Sequence, residues 1–452
     1  SAGRVQVSRR AGDDVLLTQS VWPTSFVYGP ADVHAVITFA DGASNVTLRN
    51  LVVRVADGST SNAALYSNDL GNSIRIDGGT YEGPSIFTST VGATSGVQLA
   101  SVNGSNYLLN GVTLRRFRNG FLIATSGMGV VATGNTVENS INGFSIINAN
   151  APMIENNTVT SCDCQTSSQS ISMTNTTNGV FRGNRVNGVQ TTGLSNGVVL
   201  QQTRGLLIAN NMISVGGTTQ TIGLWVEATT PANQVINNTV NITGTGQTSS
   251  ALYVPANGGT VDLVNNVFHS FGNGNNGGWA LWFTGNTPNP IGTGDFNNLM
   301  TTGATLANWG GTGIPRVAGS NPLSTWRAIT GRDQNSASVA VNFVGGTDLH
   351  LLSIQPQLWG SSTTLATVPK DYDGETRTKP YMGADEIKPS IRLVRQPASA
   401  YVCLGGTDTL ICIADVTVGA TTTYQWFKDG VELVGQIGNI FVLSNTGDRK
   451  ST

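Results

Sequence analysis

The sequence predicts an all-β protein made of stacked, similar coils, followed by a smaller second module. Glycine occupies 56 of the 452 positions and only 11% of the residues are charged, against roughly 25% in an ordinary soluble domain. Long stretches lack the 3.6-residue apolar period of amphipathic helices. Short apolar segments recur instead between Asn, Gly and Thr residues. Self-similarity at a period of about 20 to 50 residues is typical of a solenoid.

The main repeat is an asparagine, any residue and then an apolar, mostly branched residue. Its asparagines are Asn50, Asn110, Asn135, Asn157, Asn184, Asn211, Asn238, Asn266 and, more loosely, Asn298. With Gly79 filling the gap after Asn50, successive anchors lie 22 to 32 residues apart. A second apolar series interleaves with the first, at 64–66, 143–146, 170–173, 197–200, 223–226, 251–254 and 280–283. The pattern therefore predicts two short strands per period.

Stacked coils place equivalent residues one above another, because each strand hydrogen-bonds to its counterparts at a spacing of about 4.8 Å. An asparagine at the same corner of every coil can then form an amide ladder in a dry interior. We predict such a ladder, with an architectural role, for six residues: Asn135, Asn157, Asn184, Asn211, Asn238 and Asn266. Glycine is expected to supply the positive φ at these corners.

Two segments carry a family resemblance. The sequences at 156–159 and 237–240, both Asn-Asn-Thr-Val, resemble coils of secreted bacterial right-handed parallel β-helix proteins, an architecture shared with pectate lyases. The segments 348–351, 371–377 and 383–386 resemble the closing part of such surface proteins. The resemblance spans about residues 45–388 and implies a right-handed parallel β-helix (β-solenoid) and an extracellular or bacterial cell-surface location. It does not identify an activity, because this solenoid carries lyases, hydrolases, esterases, tail spikes and adhesins.

The composition changes after residue 388. The segments 402–412, 424–430 and 440–443 resemble the first strands of an immunoglobulin-like sandwich, in which Cys412 would be the first core cysteine and Trp426 the core tryptophan. The partner cysteine would lie on a later strand, so we expect a longer polypeptide. The predicted domains are a cap and first-coil region (1–44), parallel β-helix coils (45–303), last coils with a C-terminal cap (304–388) and the start of a truncated immunoglobulin-like domain (389–452).

The charge balance excludes two classes of partner. The formal net charge is −2, which argues against electrostatic binding of nucleic acid or of an anionic membrane. No run of residues approaches the roughly 18 consecutive apolar positions of a membrane span. We therefore predict no nucleic-acid partner and no insertion into a membrane.

Carboxylates that could carry chemistry are sparse. Polysaccharide lyases of this architecture use calcium held by carboxylates together with a cationic base, and glycosidases use paired carboxylates. Between residues 83 and 332 the acidic residues are Glu138, Glu155, Asp163, Glu227, Asp262 and Asp295. Glu138 and Glu155 lie 17 residues apart, and Asp262 and Asp295 lie 33 residues apart. Neither spacing matches the length of one coil well. We assign no catalytic residue.

The strongest local ion signal is Asp371, Asp373 and Glu375, whose oxygen ligands alternate across a glycine turn in the manner of calcium loops. The competing interpretation is that Arg377 pairs with Asp385 or Glu386 and closes the end of the solenoid. Calcium is the one cofactor that the sequence suggests. Whether this segment binds calcium or forms the Arg377 ion pair, we expect it to stabilise the fold and not to take part in catalysis.

Two cysteines, Cys162 and Cys164, lie one residue apart in a segment between coils. They make a poor zinc site in a chain with three histidines. A local disulfide in an oxidising compartment is the favoured interpretation, and free buried thiols are the alternative.

Three aromatic residues occupy equivalent places in consecutive coils: Trp225, Tyr253 and Trp282. Strand alternation directs them outward if the preceding leucines point inward. An outward aromatic row can stack on sugar rings of a glycan, or it can pack against a loop or a neighbouring subunit.

These observations favour a non-catalytic extracellular β-helix that acts in adhesion, in a matrix or in a self-assembling surface structure such as a multimer or filament. Its weakly charged surface would repel further copies very little. The alternative is a polysaccharide lyase or glycoside hydrolase that acts on an extracellular glycan. A cluster of carboxylates in a groove would distinguish the two.

Overall fold

The computed structural model of the chain describes residues 5–7, 15–17, 26–28, 35–39, 44–55, 63–67, 71–85, 95–101, 104–161, 167–190, 193–244, 246, 248–256, 259–271, 278–317, 319, 321–378, 380–387, 390–398, 400, 402–418 and 420–444. They divide into two compact units. The first comprises residues 1–350 and 357–386, and the second comprises residues 351–356 and 387–452. No helix among the described residues is long and apolar enough to cross a bilayer.

The first unit is a parallel β-helix with three sheets. Sheet A contains β1 Val5–Val7, β4 Ala35–Phe39, β7 Ala63–Ser67, β10 Ser95–Ser101, β13 Asn119–Thr125, β16 Asn142–Ile147, β19 Ser168–Thr174, β22 Ser195–Thr203, β25 Thr221–Ala228, β28 Ser250–Val254, β31 Trp279–Phe283, β34 Thr305–Trp309 and β35 Thr312–Pro315. All neighbouring strands of sheet A are parallel except β34 and β35, which are antiparallel.

The other two sheets are parallel throughout. Sheet B contains β2 Val15–Leu17, β5 Val46–Arg49, β8 Ile74–Asp77, β11 Tyr107–Asn110, β14 Val130–Thr133, β17 Met153–Glu155, β20 Val180–Arg182, β23 Leu207–Ala209, β26 Asn233–Ile236, β29 Val261–Val264 and β32 Ile291–Asp295. Sheet C contains β3 Phe26–Tyr28, β6 Val52–Val55, β9 Thr80–Glu82, β12 Thr113–Arg115, β15 Thr136–Ser140, β18 Thr158–Ser161, β21 Arg185–Gln190, β24 Met212–Gly217, β27 Thr239–Ile242, β30 Val267–Ser270 and β33 Asn298–Thr301.

Each coil thus contributes one strand to each sheet, in the order A, B, C. The prediction of two strands per period is wrong, because the strands of sheet B escaped notice. Val180–Arg182 and Leu207–Ala209 have three residues each, too few for a period-2 pattern to stand out. The two repeats recognised in the sequence form sheets C and A.

The interior is one continuous apolar cluster that runs from Ile37 to Trp326. Strand alternation places every second side chain inside, as in Val97, Leu99 and the stacked rings of Phe121 and Phe144, whose centroids lie 4.7 Å apart. Burial of these aliphatic and aromatic rows supplies the main favourable free energy of the fold.

A short helix, Ser324–Thr330, lies after the last sheet A strands. Its Trp326 is fully buried and packs edge to face on Trp309, with ring centroids 5.3 Å apart. The indole Nε1 donates to Asp333 Oδ2 at 2.7 Å. Burial raises the pKa of Asp333, against hydrogen bonds from Asn297, Ser336 and Trp326 that lower it.

Residues 337–350 and 357–386, here called the strap, lie against the outer side of sheet C and against the corner between sheets B and C. Ala337 forms an isolated parallel β-bridge with Asn298 on β33. The carbonyl of Gly346 accepts from Ser214 Oγ at 2.7 Å, and that of Thr347 accepts from Arg185 Nη2 at 3.0 Å. The region predicted as last coils and cap is therefore partly an end cap and partly a strap along the side of the solenoid.

The second unit contains three two-stranded antiparallel sheets: β36 Ile391–Arg395 with β38 Ile413–Val416, β37 Thr407–Ile411 with β41 Ile440–Ser444, and β39 Phe427–Lys428 with β40 Val431–Glu432. Trp426 stacks on Phe441 with ring centroids 5.5 Å apart. Cys403 and Cys412 are free thiols. The immunoglobulin-like interpretation of this unit stays a prediction.

Candidate functional site

The predicted aromatic row lies on the outer face of sheet A. Trp225, Tyr253 and Trp282 are register partners on β25, β28 and β31. Ring centroids are 4.5 Å apart between Trp225 and Tyr253 and 4.7 Å apart between Tyr253 and Trp282, in edge-to-face geometry. Trp279 adds a fourth ring 4.9 Å from Trp282. The alternating Leu224, Leu252 and Leu281 are fully buried, so the aromatic rings do point outward and stay partly exposed.

A polar cleft of about 630 Å³ lies at the C-terminal ends of β16, β19, β22 and β25, so that it shares only β25 with the aromatic row. Its lining comprises Asn148, Asn175, Thr177, Gln202, Arg204, Glu227, Thr229 and Thr230. The amides repeat with the coil, and Asn175 Nδ2 donates to Asn148 Oδ1 at 3.2 Å. This exposed ladder of hydrogen-bonding groups was not recognised in the sequence, because its residues share no motif beyond their coil spacing.

Glu227 connects the cleft to the aromatic row. It follows Trp225 by two residues on β25 and lines the cleft. Burial raises the pKa of Tyr253, a hydrogen bond with Thr284 lowers it, and the charge of Glu227 raises it further. The row and the cleft therefore meet on β25, and the two together are here called the sheet A face.

Most other carboxylates of the coils that the structure describes are held by residues one coil away. On sheet C, Arg54, Glu82, Arg115 and Glu138 are successive register partners. Arg115 Nε donates to Glu138 Oε2 at 2.8 Å. These alternating charges tie coils together and do not converge on a groove.

The same holds on sheet B. Arg182 Nη2 donates to Glu155 Oε1 at 2.8 Å. A hydrogen bond from Asn110 lowers the pKa of Asp77, helped by Arg75 and Arg49. Asp262 Oδ1 accepts from the backbone of Thr293 at 2.7 Å. Glu138 and Glu155, compared in the sequence, lie on different sheets.

The six predicted ladder asparagines are all at most 1% exposed. Each side chain bonds to the next coil, as in Asn157 Nδ2 to Asn184 Oδ1 and Asn184 Nδ2 to Asn211 Oδ1, both at 3.0 Å. Each Nδ2 also donates to a sheet B carbonyl, such as that of Ile154 for Asn184 at 2.8 Å. The row continues to Asn297, whose Nδ2 donates to Asp333 Oδ1 at 3.0 Å. These amides are buried and structural, and none faces a ligand site.

A second asparagine row precedes the first by one residue and was missed. Asn156, Asn210, Asn237 and Asn265 have φ between 52° and 58°, so asparagine shares with glycine the positive-φ corner expected for glycine alone. Their side chains point outward. Asn237 Nδ2 donates to the carbonyl of Tyr381 at 2.9 Å, and Asn265 Nδ2 donates to that of Ser361 at 2.9 Å. This row docks the strap on the coils.

The predicted calcium residues separate in the structure. Asp371 is 5% exposed, and its Oδ1 accepts from the backbone of Glu375 at 2.9 Å. Burial raises the pKa of Asp371, against that backbone bond and the charge of Arg377. Asp373 Oδ1 lies 3.3 Å from His350 Nε2. No three His, Cys, Asp or Glu side chains among the described residues are placed to hold a metal ion, and calcium binding stays a prediction.

The competing interpretation for this segment is right about the pairing of Arg377 with Glu386, but Arg377 lies against the side of the coils at Asn210 and not at the end of the solenoid. Arg377 Nη1 lies 3.7 Å from Glu386 Oε2, and both side chains are almost completely buried. Arg377 Nη2 donates to Asn210 Oδ1 at 2.9 Å and to the carbonyl of Ala384 at 2.8 Å. Burial lowers the pKa of Arg377, against the charges of Glu386, Asp371 and Asp385. Arg377 thus fastens the strap to the coils.

Two histidines of the first unit have opposite environments. Neither ring nitrogen of His269 has a hydrogen-bond partner; the residue is 1% exposed, beside the rings of Phe271 and Phe343. Burial lowers the pKa of His269 to about 4. His350 hydrogen-bonds to Asp348. Burial alone would lower the pKa of His350, but Asp348, Asp373 and Asp385 raise it above its usual value.

Cys162 and Cys164 lie outside the described residues, so the predicted disulfide remains a prediction.

The fold and the ladders define a parallel β-helix protein whose coils are held by buried amides. The family described as periplasmic copper-binding protein (NosD) matches residues 70–298, just over half of the chain. The chain belongs to this NosD family.

Two solved structures are similar. A periplasmic alginate epimerase, AlgG, has 12% identity and a TM-score of 0.37, over 65% of this chain and 75% of that one. The A-module of the Azotobacter vinelandii mannuronan C-5 epimerase AlgE6 has 12% identity and a TM-score of 0.35, over 67% of this chain and 90% of that one. No curated protein sequence matches the chain.

The family description implies copper, which proteins bind through His, Cys and Met side chains. The best candidate is buried His269, since its register partner on β33 is Met300. Its other register partner is Asn241, and the rings beside it are phenylalanines. One imidazole and one thioether do not make a copper ligand set, so the described residues do not fit the metal.

Proposed function

We propose that this chain is a non-catalytic glycan-binding β-helix that acts outside the cytoplasm, and that the sheet A face is its binding surface. One observation carries the proposal: a row of aromatic rings spaced by the coil repeat runs into an open polar cleft. The family's description as periplasmic supports the location. Attachment to a glycan would serve adhesion or a matrix.

The two parts of the face supply complementary chemistry. Partly exposed indole and phenol rings offer apolar surfaces to the C–H faces of sugar rings. The cleft offers amide, hydroxyl, guanidinium and carboxylate groups, as in Asn175, Arg204 and Glu227. A few convergent polar groups beside aromatic side chains are typical of small-molecule and sugar sites.

Among the described residues, the cleft on the sheet A face holds one carboxylate, which supports binding over hydrolysis. A glycosidase needs two carboxyl groups about 5 to 9.5 Å apart across the scissile bond. Glu227 is the one acidic residue among those that line the cleft. Glu155 and Glu138 lie on sheets B and C and are bonded to arginines there. A single carboxylate can accept a sugar hydroxyl without completing an acid–base pair.

The test is affinity electrophoresis of the full chain in gels that contain neutral, acidic or amino polysaccharides. We expect retardation by at least one polysaccharide, and loss of it when Trp225→Ala and Trp282→Ala are combined. Tyr66→Ala is the matched control, because Tyr66 belongs to the same outward row several coils away. Equal retardation of the double variant and the wild type would contradict the proposal.

The competing fate of the row is contact with a second copy of this chain. Light scattering over a range of protein concentrations separates the two cases. A monomer that binds polysaccharide supports the proposal. A wild-type dimer that Trp225→Ala with Trp282→Ala dissociates, without any polysaccharide binding, would replace the proposal by self-association.

A further inference from the structure

The outward corner asparagines form a docking row that extends beyond the strap. Asn210, Asn237 and Asn265 each donate to the strap, with Asn210 Nδ2 bonded to the carbonyl of Lys370 at 2.6 Å. The next position toward the N-terminus is Gly183, which has no side chain to offer. Beyond it is Asn156, which is exposed. The row therefore has a gap followed by an amide that faces solvent.

This gap is a pocket of about 280 Å³ between the corner and the strap turn 368–374. Its volume is slightly below the roughly 300 Å³ at which sites for drug-sized ligands begin, so a single ring with its substituents fits. Asn156 provides the amide, and Pro369 and Tyr372 provide an apolar wall. Gly183 makes room for the Asn156 amide at the edge of the pocket, because a Cβ there would lie 2.3 Å from Asn156 Oδ1.

The charged groups of the pocket favour an anion. Arg182 and Lys370 line it together with Asp371. Because Glu155 offsets the charge of Arg182, the preference comes from the N–H donors of these two cations and not from a net positive charge. Glu155 holds the Arg182 guanidinium in place at 2.8 Å. The carboxylate of Asp371 is already engaged by the backbone of Glu375. An anionic substituent on the ligand would meet Arg182 and Lys370 in charge-assisted hydrogen bonds.

The walls of the pocket are fixed. The carbonyl of Lys370 is bonded to Asn210 and accepts from Arg377 Nε at 3.3 Å. The backbone of Asp371 donates to the carbonyl of Glu375 at 2.9 Å and closes the turn. A pocket with such pre-ordered walls loses little conformational entropy when a ligand binds.

We propose that this pocket binds one carboxylate-bearing sugar residue, such as a uronate. The carboxylate would meet Arg182 and Lys370, the hydroxyls would meet Asn156, and the ring would lie against Tyr372. The site is separate from the sheet A face and does not depend on its glycan.

The experiment is saturation-transfer NMR and calorimetry on the full chain with glucuronate, glucose and sodium sulfate as probes. We expect saturable binding of glucuronate, at least tenfold weaker binding of glucose, and no binding of sulfate at equal concentration. Sulfate that binds as well as glucuronate would overturn the sugar assignment. Glucose that binds equally would overturn the anionic assignment.

Two variants locate the site. Gly183→Asn displaces the Asn156 amide without a change of charge, and asparagine tolerates the φ of 66° at this position, as it does the φ of 52° at Asn210. Lys370→Gln removes one cation and leaves the docked carbonyl in place. Each is expected to weaken glucuronate binding at least tenfold.

The matched controls are Gly134→Asn, whose Cβ meets open space at the same corner, and Lys428→Gln in the second unit. Both should bind glucuronate like the wild type, as should Trp225→Ala with Trp282→Ala. Wild-type affinity in Lys370→Gln and Gly183→Asn would contradict the proposal. If Gly183→Asn does not fold, Lys370→Gln decides alone.

Discussion

The outer faces of sheets C and A differ in what covers them. On sheet C the strap covers the outward side chains Ser214, Asn241 and His269, and all three are at most 3% exposed. On sheet A the equivalent outward positions carry rings and polar groups that stay partly exposed. The same coil repeat therefore serves stability on one face and offers a binding surface on the other. A regular solenoid acquires different faces through the residues at its outward positions.

The largest expected effect comes from a substitution that loosens the strap on the outer face of sheet C. Arg377→Met removes a buried cation from Glu386 and two donors from strap carbonyls. Removal of one partner from a buried ion pair costs about 3 to 5 kcal/mol. We expect hydrogen exchange to accelerate in residues 380–386 and in the adjoining sheet C strands. The control is Arg392→Met, since that ion pair is exposed and such pairs are worth about 0 to 1 kcal/mol. Unchanged hydrogen exchange in Arg377→Met would show that Arg377 does not fasten the strap to the coils.

A somewhat smaller effect follows from His269. The pKa of this residue is lowered from 6.5 to about 4 in the folded protein, so the unfolded chain binds more protons between these values. The contribution of His269 to the free energy of unfolding is therefore fully present above pH 6.5. It is lost as the pH falls toward 4, and the loss is on the order of 3 kcal/mol. Urea unfolding at several pH values measures it. His269→Leu should flatten this part of the pH profile.

His350 provides the opposite sign in the same unit. Its pKa is raised, so its contribution to the free energy of unfolding is present below its unfolded pKa and is lost as the pH rises through the folded value.

For His269, a His269→Leu profile as steep as that of the wild type between pH 6.5 and 4 would contradict the prediction.

The smallest expected effects come from the removal of single asparagine amides, one under the strap and one on the sheet A face. Asn210→Ala removes the hydrogen bonds to Lys370 and Arg377, both buried or partly buried. We expect a loss of about 1 to 3 kcal/mol in the free energy of unfolding. Asn175→Ala on the sheet A face removes one exposed amide bond and should cost less than about 0.5 kcal/mol. Equal losses would mean that the two faces do not differ in how they use asparagine.

Much of the solenoid was readable from the sequence because its signals are local and periodic. Asn184 and Asn211 recur one coil apart before a branched residue, and a dry interior admits such amides only when they bond to each other. The aromatic row was readable for the same reason, since strand alternation fixes its direction.

The missed features depend on contacts distant in sequence. Asn210 and Lys370 are 160 residues apart, and nothing in either local sequence indicates their pairing. The corner asparagines look like part of the ladder motif, and their positive φ emerges only with the backbone. Calcium binding by Asp371 and Asp373 stays a prediction, and the sequence did not show that one carboxylate is buried and that the other faces His350.

The most direct test of the central claim is hydroxyl-radical footprinting of the full chain with and without the polysaccharide that retards it most. The account predicts protection at Trp225, Tyr253 and Trp282 and in the cleft around Arg204, with no release of new reducing or unsaturated ends during incubation. Protection confined to other surfaces, or release of sugar fragments, would contradict a non-catalytic binding role for the sheet A face.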